Sequence, residues 1–261
     1  MTTPDINKGR STPGAGLKVV VTGGATGIGL AITEAFVGIG ARVVIGQPEV
    51  SVADSLLERH GLSVRVLPVD IGEPEACKRF MDEGAAWLGG LDVLVNNAAM
   101  TGVACLGSLE EVTPAEFDRM MRVNVGGAFF CSQAAVPHLR ANGGGVIVHI
   151  SSVNAIRPQR GAMVYAASKA ALSSLAQSMA KELAVDGIRV VAVAPGDIRV
   201  ETSWEMEQAA AAGGAGSDVL GQTPLGHGEP KDVAQAVVFI CSPSAKFVTG
   251  VTWVVDGGLL A

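Results

Sequence analysis

The sequence predicts an α/β architecture, a doubly wound, seven-stranded parallel sheet with helices on both faces, in a single domain. Short apolar runs alternate with longer helical patterns along most of the chain, the succession that calls for parallel pairing through right-handed crossovers. The run GGGVIVHISS is apolar almost throughout, as expected of a strand buried on both faces. The first run ends in the glycine-rich turn TGGATGIG, after which a helical pattern begins. With 261 residues, 48% of them hydrophobic, the chain can bury a substantial core, and one domain accounts for that length.

The elements are expected in the following order. Leu17 to Thr22 reads as a strand, Gly27 to Gly38 as a helix, Ala41 to Gly46 as a second strand and Ser51 to His60 as a helix. Leu62 to Val69 is a third strand, Glu73 to Leu88 a helix and Leu91 to Val95 a fourth strand. Pro114 to Val123 and Val125 to Leu139 form one helix or a bent pair, and Val146 to Ile150 follows as a strand. Ala162 to Ala184 has no internal Gly or Pro and is rich in Ala, Leu, Ser and Met, which favours a long helix. Arg189 to Ala194 is a strand, Pro230 to Cys241 a helix and Val251 to Val255 the last strand.

Residues 1–16, with Pro4, Pro13 and several glycines, read as a flexible tail without the apolar core of a signal peptide. Mean hydropathy is high at +0.38, yet no uninterrupted apolar stretch of about 18 residues occurs, so the expectation is a soluble, cytoplasmic protein. A net charge of −6 argues against nucleic acid or an anionic membrane as partner. Cys77, Cys105, Cys131 and Cys241 show neither CxxC nor zinc-ligand spacing, and the four histidines are equally dispersed, so no metal site is expected.

The chemistry concentrates between Val146 and Ala184. Tyr165 and Lys169 lie four positions apart, one helical turn, and so share a face. A phenol is a poor proton donor or acceptor at neutral pH unless a neighbouring cation favours its ionised form, and Lys169 is placed to supply that cation. Tyr165 is the only tyrosine in the chain. Ser151 and Ser152 end the apolar run, thirteen residues before Tyr165, which leaves room for a short loop from strand end to helix. A serine hydroxyl there would hold a substrate oxygen against the tyrosine; the alternative reading is a strand-end cap. In a doubly wound sheet such a site lies beyond the carboxyl ends of the strands, where the helix after the glycine turn offers free amides to a pyrophosphate.

These motifs together resemble the short-chain dehydrogenase/reductase family, in its short single-domain branch with a Rossmann-type sheet. The resemblance is carried by TGGATGIG at 22–29, NNAA at 96–99, Asn124, Ser152, YAASK at 165–169 and APG at 194–196, and it extends to TPLGHGEPKDVA and TGVTWVVDGG near the end. It implies hydride transfer between a nicotinamide cofactor and a secondary alcohol or ketone. Tyr165 would be the general acid or base, with its pKa lowered by Lys169; Lys169 would hold the ribose hydroxyls, Ser152 the substrate oxygen, and Asn124 a water leading to solvent. The cofactor would contact Gly23, Thr26, Gly27, Ile28, Gly29, Gln47, Asp70, Ile71, Asn96, Asn97, Ala98, Pro195, Gly196 and Ile198, although the asparagines of NNAA also brace the sheet in the family. The resemblance also implies a homotetramer, assembled through the two long helices after the fourth and fifth strands and through the last strand.

Departures from the family pattern bear on specificity. Ala99 stands where glycine is usual, Val200 where threonine is usual with Thr202 two residues on, and His149 where asparagine is frequent; His149 reads as a satisfied strand histidine. The second strand ends in Gln47, Pro48 and Glu49. Gln47 can bond a ribose hydroxyl, whereas a ribose phosphate would lack a cation here, so NAD is favoured over NADP. The substrate pocket is expected from 100–106, 153–164 and a lid at about 197–227 that contains Trp204, Met206 and AAAAGGAGS. Val153, Trp204 and Met206 favour an apolar substrate, while Arg157 and Arg160 are read as surface residues. Two other functions fit the sequence less well: reduction of a 3-oxoacyl group on a carrier protein, and nucleotide sensing without turnover. Reduction of a carbon–carbon double bond fits least, because enoyl-reducing relatives space tyrosine and lysine more widely.

Overall fold

Seven parallel strands form one sheet in the order β3-β2-β1-β4-β5-β6-β7 in a computed structural model that describes residues 16–200, 208 and 223–261. The strands are β1 (Lys18–Thr22), β2 (Arg42–Gln47), β3 (Val64–Pro68), β4 (Val93–Asn96), β5 (Gly145–Ile150), β6 (Ile188–Pro195) and β7 (Thr252–Val255). The helices are α1 (Gly27–Gly38), α2 (Asp54–His60), α3 (Pro74–Leu88), α4 (Pro114–Met121), α5 (Gly127–Ala141), α6 (Met163–Leu183) and α7 (Pro230–Cys241). The strand order reverses between β1 and β4, which makes the carboxyl ends of these two strands the switch point.

Valines and isoleucines alternate between two apolar layers as each strand passes through the sheet. Val19 and Val21 of β1 join Ile32 and Phe36 of α1 and Val233 and Val237 of α7 on one face. Val20, Leu94 and Ile147 join Phe80 and Met81 of α3, Cys131 and Leu139 of α5 and Ala176 of α6 on the other. Central strands β1, β4 and β5 are buried on both faces, which accounts for their continuous apolar sequence.

Two departures from the expected elements have local causes. Residues Val50–Ala53 and Gly61–Ser63 form 3-10 turns on either side of α2, with Gly61 at φ +51°, so the second helix is shorter and β3 starts later than the pattern suggests. The expected bent pair at 114–139 is α4 and α5 joined by a π-turn at Arg122–Gly126, and Asn124 lies within it. π-turns of this kind recur at functional sites. The expected tail at 1–16 lies outside the described residues except for Gly16, as does most of the expected lid, including Trp204, Met206 and AAAAGGAGS.

Candidate active site

Strand β5 and helix α6 bring the polar residues together. Lys169, almost fully buried, donates from Nζ to the Ile150 carbonyl at 2.8 Å, and its Nζ lies 5.6 Å from the Tyr165 ring centroid. Ser151 turns toward α6 and donates to the Lys169 carbonyl at 2.8 Å, which pins the helix to the strand end. Ser152 points elsewhere: its Oγ accepts from Asn154 N at 3.1 Å, capping the turn at Val153–Ala155, and the same hydroxyl acts on the Tyr165 phenol. Ser152 therefore caps the turn and faces the Tyr165 phenol with one side chain.

The electrostatics of Tyr165 differ from the expectation. Its pKa is raised above 10, because loss of water outweighs the hydroxyls of Ser152 and Thr101, which pull it back down. The Lys169 ammonium is bonded to the Ile150 carbonyl rather than to the phenol. Burial instead brings Lys169 itself down to about 8. The phenol is thus protonated at neutral pH and is set up as a proton donor.

Asn124 is nearly inaccessible and bridges two segments. Its Oδ1 accepts from Met100 N at 2.7 Å, and its Nδ2 donates to Met100 O at 3.2 Å and to Ser168 Oγ at 3.0 Å. Ser168 in turn donates to the Tyr165 carbonyl at 2.7 Å. One amide therefore ties the loop after β4 to the catalytic turn of α6. Ser168 is the residue that sequence reasoning missed, whereas Thr101 falls in the expected pocket segment 100–106 without a role assigned to it. Ser168 stood in plain view inside YAASK, but only the fold reveals that its hydroxyl faces the π-turn.

The glycine turn is built for close approach. A Cβ on Gly29 would lie 1.9 Å from the Gly23 carbonyl oxygen, and one on Gly23, at φ +63°, would lie 2.9 Å from Ala98 Cα. Helix α1 begins at Gly27 with no side-chain cap from Thr26 and no acidic residue in its first turn, so its leading amides, which include Ile28, are open to an anion. Gln47 Oε1 is buried without a partner at the end of β2, an acceptor suited to a ribose hydroxyl. The open helix start and this unsatisfied oxygen fit a dinucleotide. Asp70 is exposed and accepts from Gly72 N at 2.8 Å, and Pro195 and Gly196 close β6, where a Cβ on Gly196 would lie 2.6 Å from Asp256 Cβ. Ile198 pairs with Gly228, and Asp197 Oδ2 lies 2.7 Å from His227 Nδ1, fastening the base of the expected lid. Val200, where threonine was usual, lies over the turn, 3.4 Å from a Cβ placed on Gly27.

Several expected contacts need correction. Asn96 does not line the ribose: it is buried, and its Nδ2 donates to Ser132 Oγ at 2.9 Å and lies 3.2 Å from His149 Nδ1. Asn97, the first residue past β4, turns instead toward the glycine turn. There its Nδ2 is spent on the carbonyls of Thr22 (3.1 Å) and Gly23 (2.9 Å), and the amides of Asn97 and Ala98 bond Thr22 Oγ1, so this pair braces the glycine turn. The Ile71 side chain is packed into the core against Gly127, where an added Cβ would lie 2.6 Å from Ile71 Cδ1. His149 is only half satisfied. Its Nε2 is buried without a partner, and burial, with Lys169 adding to it, brings its pKa to about 4.

Residues 23–260 match a family model described as enoyl-(acyl carrier protein) reductase. The chain is 36% identical over 245 residues to a 3-oxoacyl-[acyl-carrier-protein] reductase of Thermotoga maritima, covering 92% of this chain and 96% of that protein. A short chain dehydrogenase from Burkholderia cenocepacia in complex with NADP superposes with a TM-score of 0.83 at 34% identity, covering 95% of this chain and 99% of the other. The chain belongs to the short-chain dehydrogenase/reductase family. A further member, a 3-ketoacyl-(acyl-carrier-protein) reductase from Brucella melitensis complexed with NADH, superposes with a TM-score of 0.86 at 30% identity, covering 95% of this chain and all of the other.

Proposed function

We infer that this short-chain dehydrogenase/reductase is an NAD(P)-dependent oxidoreductase that interconverts a ketone and a secondary alcohol. The observation that carries the reading is the meeting of Ser152, Tyr165 and Lys169 on β5 and α6, beside an uncapped helix start at the switch point. A bound nicotinamide supplies or accepts the hydride. In the reductive direction the carbonyl oxygen is held by Ser152, and the Tyr165 hydroxyl donates its proton to that oxygen as negative charge grows there. Lys169, with its ammonium 5.6 Å from the Tyr165 ring, stabilises the phenolate left behind, and its remaining N–H groups would hold the ribose hydroxyls. Asn124 positions the turn of α6 through Ser168 and holds the loop that carries Thr101.

The cofactor contacts fall to the amides of Gly27, Ile28 and Gly29 and to Gln47, with Asp70, Ala98, Pro195, Gly196 and Ile198 around them. NAD is preferred over NADP, since Glu49, an added negative charge, follows Gln47 and Pro48. The expected domain plan, a tail at 1–16 and a lid at about 197–227 on one catalytic domain, is kept as part of this reading, as is a cytoplasmic location. Among the described residues no helix is long and apolar enough to cross a membrane.

Assembly as a homotetramer is favoured by exposed apolar side chains in the places where the family associates. Phe247 is 99% exposed, Phe239 of α7 and Val251 and Val254 at β7 are exposed as well, and Phe117 and Phe129 stand out from α4 and α5. The carrier-protein reading is the second choice, because members with that activity are similar along almost the whole chain. A panel of ketones and secondary alcohols assayed with NADH and NADPH tests the proposal: turnover of free ketones, faster with NADH, is the expected result, and turnover confined to carrier-linked substrates would favour the alternative.

A further inference from the structure

A cavity of about 380 Å³ lies between α4, the loop at 105–112 and the start of α6, a volume in the ordinary range for small-molecule sites. Met120 and Val164 form its buried wall, with Leu106 and Val112 beside them. The loop is fixed there by the bond from Gly107 N to Gly161 O, 2.9 Å, so the space has a defined shape. Two features tie the cavity to the proton donor. Val164 immediately precedes Tyr165, and the Cys105 thiol, also in the lining, lies within electrostatic reach of both Tyr165 and Lys169.

A ketone whose oxygen sits at Tyr165 and Ser152 must place its two substituents in whatever space adjoins them. We propose that the larger substituent enters this cavity, and that the cavity accepts uncharged apolar groups and rejects anionic ones. The inference rests on the reductase reading above. The apolar preference follows from Leu106, Val112, Met120 and Val164. The charge preference follows from Glu111 and Glu116, which line the opening with exposed carboxylates. Each is anchored through Oε2, Glu111 by Ser108 N at 2.9 Å and Glu116 by Thr113 N at 2.8 Å; the Ser108 hydroxyl and amide hold Glu111, and the Thr113 amide and hydroxyl hold Glu116, below the usual carboxylate range, so both are ionised at neutral pH. Lys169 and Arg119 are the cations that act on Cys105, and neither lines the space.

The test compares two uncharged methyl ketones, one short and one with a bulky aryl group, together with an aryl ketone that bears a carboxylate. Val112→Phe fills the cavity and Met120→Ala enlarges it. The ratio of kcat/KM for the bulky over the short ketone should fall at least ten-fold in Val112→Phe and hold or rise in Met120→Ala, and the carboxylate ketone should be the poorest substrate of the wild type. A ratio unchanged in Val112→Phe, or a preference for the carboxylate ketone, would overturn the proposal. A second measurement needs no turnover. Cys77, Cys131 and Cys241 are fully buried and Cys105 is partly exposed, so N-ethylmaleimide should label Cys105 first, and the bulky ketone should slow that labelling several-fold where the short one does not. Equal labelling rates with both ketones would contradict it. Failure of the wild type to reduce any ketone would instead overturn the reductase reading, and the labelling then decides the cavity by itself.

Discussion

The Lys169 ammonium donates to the Ile150 carbonyl at 2.8 Å, so the cation of the site is anchored on the strand that also delivers Ser152. Its burial has a consequence for stability. An unfolded lysine titrates near 10.5 and this one near 8, so between those values the unfolded chain holds the extra proton and stability rises with pH. Below pH 8 the buried ammonium is a net cost. Lys169→Met should therefore lose most of its activity yet be more stable than the wild type at pH 7, by about 1–2 kcal/mol, with the difference shrinking toward pH 10. Urea denaturation at both pH values reads it, and a variant less stable at pH 7 would show that the Ile150 bond outweighs desolvation.

His149 gives the opposite end of the pH scale. Its folded pKa is near 4 against an ordinary 6.5, so the unfolded chain binds the proton first as pH falls through that window. Stability is lost across the same interval, by about 3 kcal/mol for a shift of this size. His149→Asn should remove that part of the loss, measured as the change in unfolding free energy between pH 7 and pH 4.

The turn at Gly29 tolerates no side chain. Gly29→Ala would place its Cβ 1.9 Å from the Gly23 carbonyl oxygen and 2.5 Å from Asn97 Nδ2, forcing apart the brace between β1 and β4. Dinucleotide affinity should fall at least 100-fold by calorimetry. Retention of wild-type affinity would mean that the turn does not receive the cofactor.

Gln47 tests the cofactor preference. With its Oε1 buried and unpartnered, Gln47→Asp adds a charge where a ribose diol would bond and a ribose phosphate would be repelled. The ratio of kcat/KM for NADH over NADPH should rise at least ten-fold, and an unchanged ratio would place the adenosine ribose elsewhere.

Much of this was legible beforehand because the sheet is buried on both faces: Val19–Val21 and Val146–Ile150 announce themselves as apolar runs, and Tyr165 and Lys169 share a face by helical spacing alone. What the sequence hid depends on side-chain direction and on water. Asn96 and Asn97 look alike in NNAA, yet one points into the core with His149 and the other, just past β4, to the glycine turn. The spacing of Tyr165 and Lys169 suggested a lowered phenol pKa, whereas burial raises it, because spacing carries no information about desolvation. Ser168 sits inside YAASK, but only the packing of the π-turn brings Asn124 to its hydroxyl, and only the loop after β4 brings Thr101 to Tyr165.

The central claim is that the Tyr165 hydroxyl delivers the proton, and Tyr165→Phe tests it most directly. With the best ketone of the panel, kcat should fall by about 10²–10⁴ while calorimetry shows cofactor affinity within a few-fold of the wild type. An unchanged kcat in a folded, cofactor-binding Tyr165→Phe protein would contradict the account.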